Sequence, residues 1–297
     1  MKNFGRITII GTNGRLGAAL AREYSRDLEV RGLGRKQLDL GKLDQVRSLL
    51  ETEFDLLINC AALTNVDYCE SHRDEAFLIN AQGPRLLAEI CAERSAKLVH
   101  ISTDYVFDGK KDTPYIEADP PAPLSSYAES KLSGEQEVLA VSPDNLVVRL
   151  SWVFGPDKPS FIDQIIQRAR ESDSVTAVSD KFSSPSYTID VANWLRLALD
   201  NDAHGILHLA NSGACSWQEW AQYAIDVCHS VGMSVKADHV AKLSLTDMKN
   251  FVARRPVYTV LSTAKFAALT GVQPRHWREA IAEYISAHVS KNEYDPL

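Results

Sequence analysis

The sequence predicts an α/β fold, a doubly wound parallel sheet with a smaller α/β domain attached. Three observations carry this expectation. Over the first 150 residues short apolar runs alternate with stretches of helical periodicity, the pattern of βαβ crossovers that puts helices on both faces of a parallel sheet. A glycine-rich turn joins the first run to the first helical stretch. The length of 297 residues corresponds to about two domains of roughly 150 residues, or to one large α/β unit.

Arg6 to Ile10 (RITII) reads as the first strand, and Leu16 to Arg26 as a helix with Leu16, Leu20 and Tyr24 on one face. Leu28 to Leu33 is a second strand, Lys42 to Thr52 a second helix and Asp55 to Cys60 (DLLINC) a third strand. One long helical region, Asp74 to Arg94, leads to a fourth strand at Lys97 to Ile101. A Pro-rich loop to Pro123, a helix to Val141 and a fifth strand at Asn145 to Leu150 (NLVVRL) follow. Beyond Ser151 the rhythm loosens. Phe161 to Glu171 is a helix, Val175 to Val178 a strand and Ser183 to Tyr187 extended chain. Thr188 caps a helix through Asp200, and Gly205 to Ala210 (GILHLA) is a strand suited to rejoin the main sheet. Helices at Trp217 to Val231 and Trp277 to Val289 complete the chain, which has no internal repeat.

Composition narrows the function classes. Hydrophobic residues at 45% and charged residues at 24% are ordinary for a globular protein, and 15 Gly plus 12 Pro exclude a collagenous or disordered chain. With a net charge of −7, no long-range field draws the surface toward nucleic acid or anionic lipid. No apolar run approaches the roughly 18 residues of a membrane span. The start MKNFGRITII runs into Gly11, Thr12 and Asn13 without a small-residue cleavage site, so a cytoplasmic chain is expected. Five widely spaced cysteines without a CxxC pair favour reduced, buried thiols over a disulfide framework or a zinc site. A small molecule or another protein is the expected partner.

Gly11-Thr-Asn13-Gly14-Arg15-Leu16-Gly17 lies between the first strand and the first helix. Glycines there permit a tight turn and close approach of the backbone to a pyrophosphate, whose charge amide N–H groups and the helix dipole would hold. This position favours dinucleotide binding in a Rossmann-type domain over an ordinary βα turn. Arg15 either contacts the cofactor or points to solvent. The second strand ends near Arg35, with Asp39 and Leu40 shortly after. An arginine there pairs with a 2′-phosphate and an acid with an adenosine ribose, so Arg35 favours NADP(H), with NAD(H) as the alternative and a solvated arginine as the bland one. Asn59, Cys60, Ala61 and Ala62 close the third strand with small side chains, as expected where a cofactor crosses the sheet edge, and Thr64 is a further candidate for the cofactor site.

Tyr127 and Lys131 stand four residues apart, on one face of a helix. Of the ten tyrosines only Tyr127 has a lysine at that spacing. A lysine beside a phenol favours the phenolate and brings its proton within reach of neutral pH. The fourth strand delivers Ser102-Thr103-Asp104-Tyr105 beyond its C-terminal end, where ligands of open α/β sheets bind. Thr103 and Tyr127 can therefore converge on a carbonyl above a nicotinamide, with Asp104 beside them. Arg254 and Arg255 suit a bidentate clamp on a diphosphate or a solvated pair.

The blocks GTNGRLG, NCAALTNVDYCE, STDYVFDG, YAESK, RLSWVFG, SSPSYTID and RRPVYTVL resemble the extended short-chain dehydrogenase/reductase superfamily and, within it, the dTDP-4-dehydrorhamnose reductase family. The matches run in order from Gly11 to Leu261. The resemblance implies that Thr103, Tyr127 and Lys131 are a catalytic triad, with hydride passing from the nicotinamide to C4 of a 4-keto-6-deoxy sugar nucleotide. Tyr127 would donate a proton to the ketone oxygen and Thr103 would hydrogen-bond it. Lys131 would depress the tyrosine pKa and hold the nicotinamide ribose. Val66, Asp67, Tyr105 and Trp152 match positions lining the sugar site. Each has a local alternative: Tyr105 and Trp152 as core aromatics, Asp67 as a helix cap, Ser102 as a turn stabiliser, and Asp190 as a first-turn helix charge.

Sugar-nucleotide dehydratases carry an acidic pair after the threonine. Here Asp104 is followed by Tyr105, which favours ketone reduction; an epimerase is the nearer alternative. A non-catalytic regulatory subunit of the methionine adenosyltransferase beta type shares the fold, and the intact triad argues against it. The chain departs from the family pattern at Ser183-Ser184-Pro185-Ser186, where Gly-Ser-Pro-Thr is more usual. Some relatives bind magnesium at a carboxylate-rich dimer interface; a homodimer and Mg2+ are compatible with this chain, and no metal ligand can be assigned in it. The expected division is a cofactor domain of residues 1–154 and 188–211 and a substrate-binding domain of residues 155–187 and 212–297.

Overall fold

The structure, a computed structural model, describes residues 4–290. It opens with β1 (Arg6–Ile10), α1 (Arg15–Tyr24), β2 (Glu29–Leu33), α2 (Leu43–Arg47) and β3 (Leu56–Asn59). The helices α3 (Val66–Ser71), α4 (Arg73–Phe77) and α5 (Gly83–Glu93) precede β4 (Lys97–Thr103), α6 (Ser126–Val141) and β5 (Leu146–Leu150). Next come β6 (Val153–Phe154), α7 (Phe161–Glu171), β7 (Val175–Val178), β8 (Phe182–Ser183), β9 (Ser186–Tyr187), α8 (Thr188–Asp200) and β10 (Gly205–His208). The last elements are β11 (Cys215–Ser216), α9 (Trp217–Ser230), β12 (Val240–Leu243), α10 (Ala264–Thr270) and α11 (Trp277–Tyr284).

Six parallel strands form the main sheet in the order β10-β5-β4-β3-β1-β2. Successive side chains of a strand point to opposite faces, and here both faces are covered. Ile7 and Ile9 of β1 pack with Leu16, Leu20, Val191 and Leu195 of α1 and α8, while Ile10 packs with Leu86, Leu87 and Ile90 of α5. Burial on both faces is why these strands read as continuous apolar runs rather than alternating ones. As expected, the GILH strand returns to the sheet, pairing with β5. A second core, centred on Phe154, Trp220, Trp277 and Ile281, joins α7, α9 and α11, and the β7–β12 pair extends it. No helix of the described residues is long and apolar enough to cross a membrane.

Three local expectations differ. The long helix of Asp74 to Arg94 is broken into α4, a π-helical turn at Leu78–Gln82, and α5. Pro84 stands in the first turn of α5 and has no N–H for the helical ladder. The break frees the buried Asn80 side chain to hold Leu63 through both backbone groups, at 2.8 and 3.0 Å. The short helix α3 goes unread because six residues carry little periodicity; Asn65, not Asp67, caps it. Thr188 is the first residue of α8 rather than its cap, since Tyr187 pairs with Phe154 and leads straight into the helix.

Candidate functional site

The sheet order reverses between β1 and β3, and the crevice beyond their C-terminal ends is where an open α/β sheet takes ligands. Gly11 adopts φ +85° there, a conformation that favours glycine. A Cβ on Gly11 would stand 2.6 Å from the Ala61 amide nitrogen, and one on Gly17 would stand 2.4 Å from the Gly11 carbonyl oxygen. Helix α1 begins at the Gly14 cap with no side-chain bond to its first amides and no acid in its first turn, leaving those N–H groups to an anion. Gly17→Ala should therefore weaken dinucleotide binding about 5- to 150-fold, the equivalent of about 1–3 kcal/mol of overpacking at the turn. Titration calorimetry with NADPH checks this.

Around the turn, the Arg35 amide donates to Asn13 Oδ1 at 2.9 Å. The Arg35 guanidinium, 71% exposed, meets Asp39 at 3.3 Å, and Asp39 also accepts from the Gly41 amide at 3.0 Å. Arg15 donates to the Lys158 carbonyl at 2.9 Å and to that of Pro159, so its guanidinium pins a loop against the turn instead of pointing to solvent.

Thr103 ends β4, and Tyr127 lies in the first turn of α6, whose Ala128 amide is capped by Ser125 Oγ at 3.3 Å. Thr103 Oγ1 donates to Asp104 Oδ1 at 3.1 Å and accepts from the Tyr105 amide at 3.2 Å. The Tyr105 ring meets Tyr127 edge-on at 6.0 Å. Burial pushes the Tyr127 phenol well above its ordinary pKa, opposed by a hydrogen bond with Thr103. Lys131 is turned inward: Nζ donates to the Ile101 carbonyl at 2.7 Å and approaches His100 Nε2 at 3.3 Å. Burial brings its pKa down to about 8 against the attraction of Glu135. Desolvation dominates the shift of Tyr127, and the Lys131 amine is engaged with the Ile101 carbonyl.

Behind these groups lie two buried polar hubs. Asp104 accepts from Ser151 Oγ at 2.8 Å, Ser183 Oγ at 3.1 Å and Thr259 Oγ1 at 2.5 Å, so it ties the ends of β4 and β5 to the later segments. Ser183, standing where glycine is more usual, spends its hydroxyl on this carboxylate. The second hub is Glu135, which accepts from Ser102 Oγ and from Arg149 Nε and Nη2, the last two at 2.9 and 2.6 Å. Ser102 is thus held by helix α6 rather than by its own turn.

A cleft of about 660 Å³ runs from the glycine turn to Tyr105 and Trp152. Trp152 adopts φ +41°, an uncommon and costly conformation for a bulky residue, and its indole stacks on Trp220 at 5.5 Å. Residues 5–290 match the family model described as RmlD substrate binding domain. The chain belongs to this family. It is 37% identical over 297 residues to a dTDP-4-dehydrorhamnose reductase of Mycolicibacterium smegmatis, covering 98% of this chain and 88% of that one. It is 36% identical to the spore coat polysaccharide biosynthesis protein SpsK of Bacillus subtilis, covering 96% and 98%. A dTDP-4-dehydrorhamnose reductase structure from Bacillus anthracis, in complex with NADP, superposes with a TM-score of 0.87 at 32% identity, covering 95% of this chain and 99% of that one.

In this RmlD-family chain the cleft gathers most of the residues expected from sequence. Gly11, Asn13, Gly14, Arg15, Leu16, Gly17 and Arg35 line one end, Cys60, Ala61, Ala62, Thr64 and Val66 the middle, and Thr103, Asp104, Tyr105, Tyr127 and Trp152 the other end. Asp39, Leu40, Lys131, Asp67, Arg254 and Arg255 stand outside the lining. Leu40 is core. Asp67 binds Arg255 at 3.1 and 2.5 Å and accepts the Val252 and Ala253 amides at 2.8 and 2.9 Å, so both charges are spent on pinning the 252–255 loop. Asp190 does lie in the first turn of its helix, where Arg275 meets it at 2.8 Å. Sequence reasoning missed the apolar Ile101, Leu150 and Val153 and the polar Ser151 and Lys158 in the lining. The position of Ser151 just after β5 was a usable signal, whereas Lys158 sits in an irregular loop without one. Among the described residues no group of three His, Cys, Asp or Glu side chains converges to hold a metal ion, so magnesium has no support here.

Proposed function

We propose that this chain is an NAD(P)H-dependent reductase of a 4-keto-6-deoxy sugar nucleotide, with dTDP-4-dehydrorhamnose reduced to dTDP-L-rhamnose as the leading reaction. The observation that carries the reading is the meeting of Thr103 and Tyr127 in one cleft with the Gly11–Gly17 turn. The family relatives named as reductases support it over a regulatory subunit.

A nicotinamide dinucleotide fits the residues present: the cradle closes if either Gly11 or Gly17 gains a Cβ, and the first amides of α1 face it without a side-chain cap. Bound there, it supplies the hydride. Tyr127, kept protonated by burial, is the general acid that gives its proton to the ketone oxygen. Thr103 lines the same cleft as the phenol and is itself oriented by Asp104. Val66, Tyr105 and Trp152 form the wall for the sugar.

Incubating the protein with NADPH and a panel of keto-sugar nucleotides tests the reading. Substrate-dependent loss of NADPH absorbance is expected, fastest with dTDP-4-dehydrorhamnose; no turnover with any of them would refute it. Arg35, exposed at the adenosine end of the cleft, supports NADP(H) as the preferred form. Arg35→Ala should raise the KM for NADPH about tenfold, the loss of one charge-assisted phosphate contact, and leave that for NADH nearly unchanged.

A further inference from the structure

His100 lies under the catalytic helix, fully buried in β4. Gly134 allows α6 to settle onto it: a Cβ there would stand 3.4 Å from the ring nitrogen Nε2 and 2.1 Å from the Asn80 carbonyl oxygen. The hydrogen bonds around the ring determine its tautomer. Asn59 Oδ1 accepts from the Ala61 amide at 3.1 Å, which fixes the orientation of the side-chain amide. Its Nδ2 therefore donates to His100 Nδ1, also at 3.1 Å. Burial holds the imidazole neutral, its pKa well below the ordinary value. A neutral ring that accepts at Nδ1 carries its proton on Nε2.

That N–H faces Lys131 Nζ at 3.3 Å. A free amine has a lone pair to receive it; an ammonium has three protons and none. Other groups near the amine favour its charge: Glu135 one helical turn further along α6 and the Cys60 thiol after β3. Arg149 of β5 is engaged with Glu135, and Tyr127 lies one turn earlier on α6. We propose that His100 is a positioning residue for Lys131: its Nε2–H receives the side chain as the free amine and disfavours the ammonium, so the Asn59–His100 pair adds to burial in lowering the pH at which Lys131 carries charge. The catalytic consequence rests on the proposed reductase reading. Tyr127 is held protonated by burial, so Lys131 changes charge first as pH rises, and the alkaline limb of kcat/KM follows the loss of the ammonium, the form that would hold the nicotinamide ribose.

The test compares wild type with His100→Gln, whose amide oxygen can accept from an ammonium, and with His100→Met, which removes the N–H. Lys131 is titrated without substrate by NMR of isotope-labelled lysine, and kcat/KM for the keto-sugar nucleotide is measured against pH. Both variants should move the Lys131 titration, and with it the alkaline limb, upward by about one pH unit. A purely structural role would lower kcat without moving either. Unchanged titration in both variants, or a histidine spectrum that places the His100 proton on Nδ1, would overturn the proposal. A shifted titration with no turnover on any keto sugar would sustain the role of His100 and defeat the reductase reading instead.

Discussion

Tyr127→Phe should lower kcat for keto-sugar reduction by about 10²–10⁴-fold, the usual contribution of a positioned general acid. At the middle of that range the loss is about 4 kcal/mol of transition-state stabilisation. The dinucleotide Kd should change little, since the glycine turn is untouched and the ring keeps its edge-on contact with Tyr105. Burial raises the phenol's pKa, so Tyr127 stays protonated through neutral pH and acts as the proton donor without a prior ionisation. Steady-state kinetics with NADPH, alongside calorimetric titration of the dinucleotide, check both halves. A variant that kept more than a tenth of the wild-type kcat would require another acid, and the half-buried Tyr105 nearby would be the first to examine.

The parts of this site that sequence reasoning found are those with a local cause. The glycine turn is legible because Gly11 must adopt positive φ and Gly17 must leave room for a carbonyl. The sheet is legible because both of its faces are buried, which writes unbroken apolar runs into the chain. The spacing of four residues puts Lys131 on the Tyr127 side of α6, but the direction of its amine depends on a carbonyl at Ile101 and a ring at His100, about thirty residues away. Arg255 and Asp67, separated by 188 positions, offered no joint signal. Each looked like a ligand-binding charge alone, and together they neutralise one another. The Asp104 hub is of the same kind: its hydroxyl donors come from Ser151, Ser183 and Thr259, three segments that only the tertiary fold brings together.

The hub around Glu135 has the largest expected effect on stability. Its carboxylate and the Arg149 guanidinium are both essentially excluded from solvent, 1% and 2% exposed as side chains. The Arg149 guanidinium also lies over the Phe107 ring at 5.0 Å, and a ring face does not replace a carboxylate. Glu135→Ala would leave this cation buried with its main partner gone, at a cost of about 3–5 kcal/mol. At roughly 2–4 °C per kcal/mol for a chain of this order of size, thermal denaturation should occur roughly 10 °C lower. Ser102 would lose its anchor one residue before Thr103, and Lys131 would lose a charge that favours its ammonium, so activity should fall as well. Replacing both charges, Glu135→Leu with Arg149→Met, separates the two effects. An apolar pair of similar volume removes the unpaired ion, and most of the lost stability should return. The activity should not return with it, because neither Ser102 nor Lys131 recovers the carboxylate. If the double variant regained both, Glu135 would be a partner for Arg149 alone and would have no part in aligning Thr103.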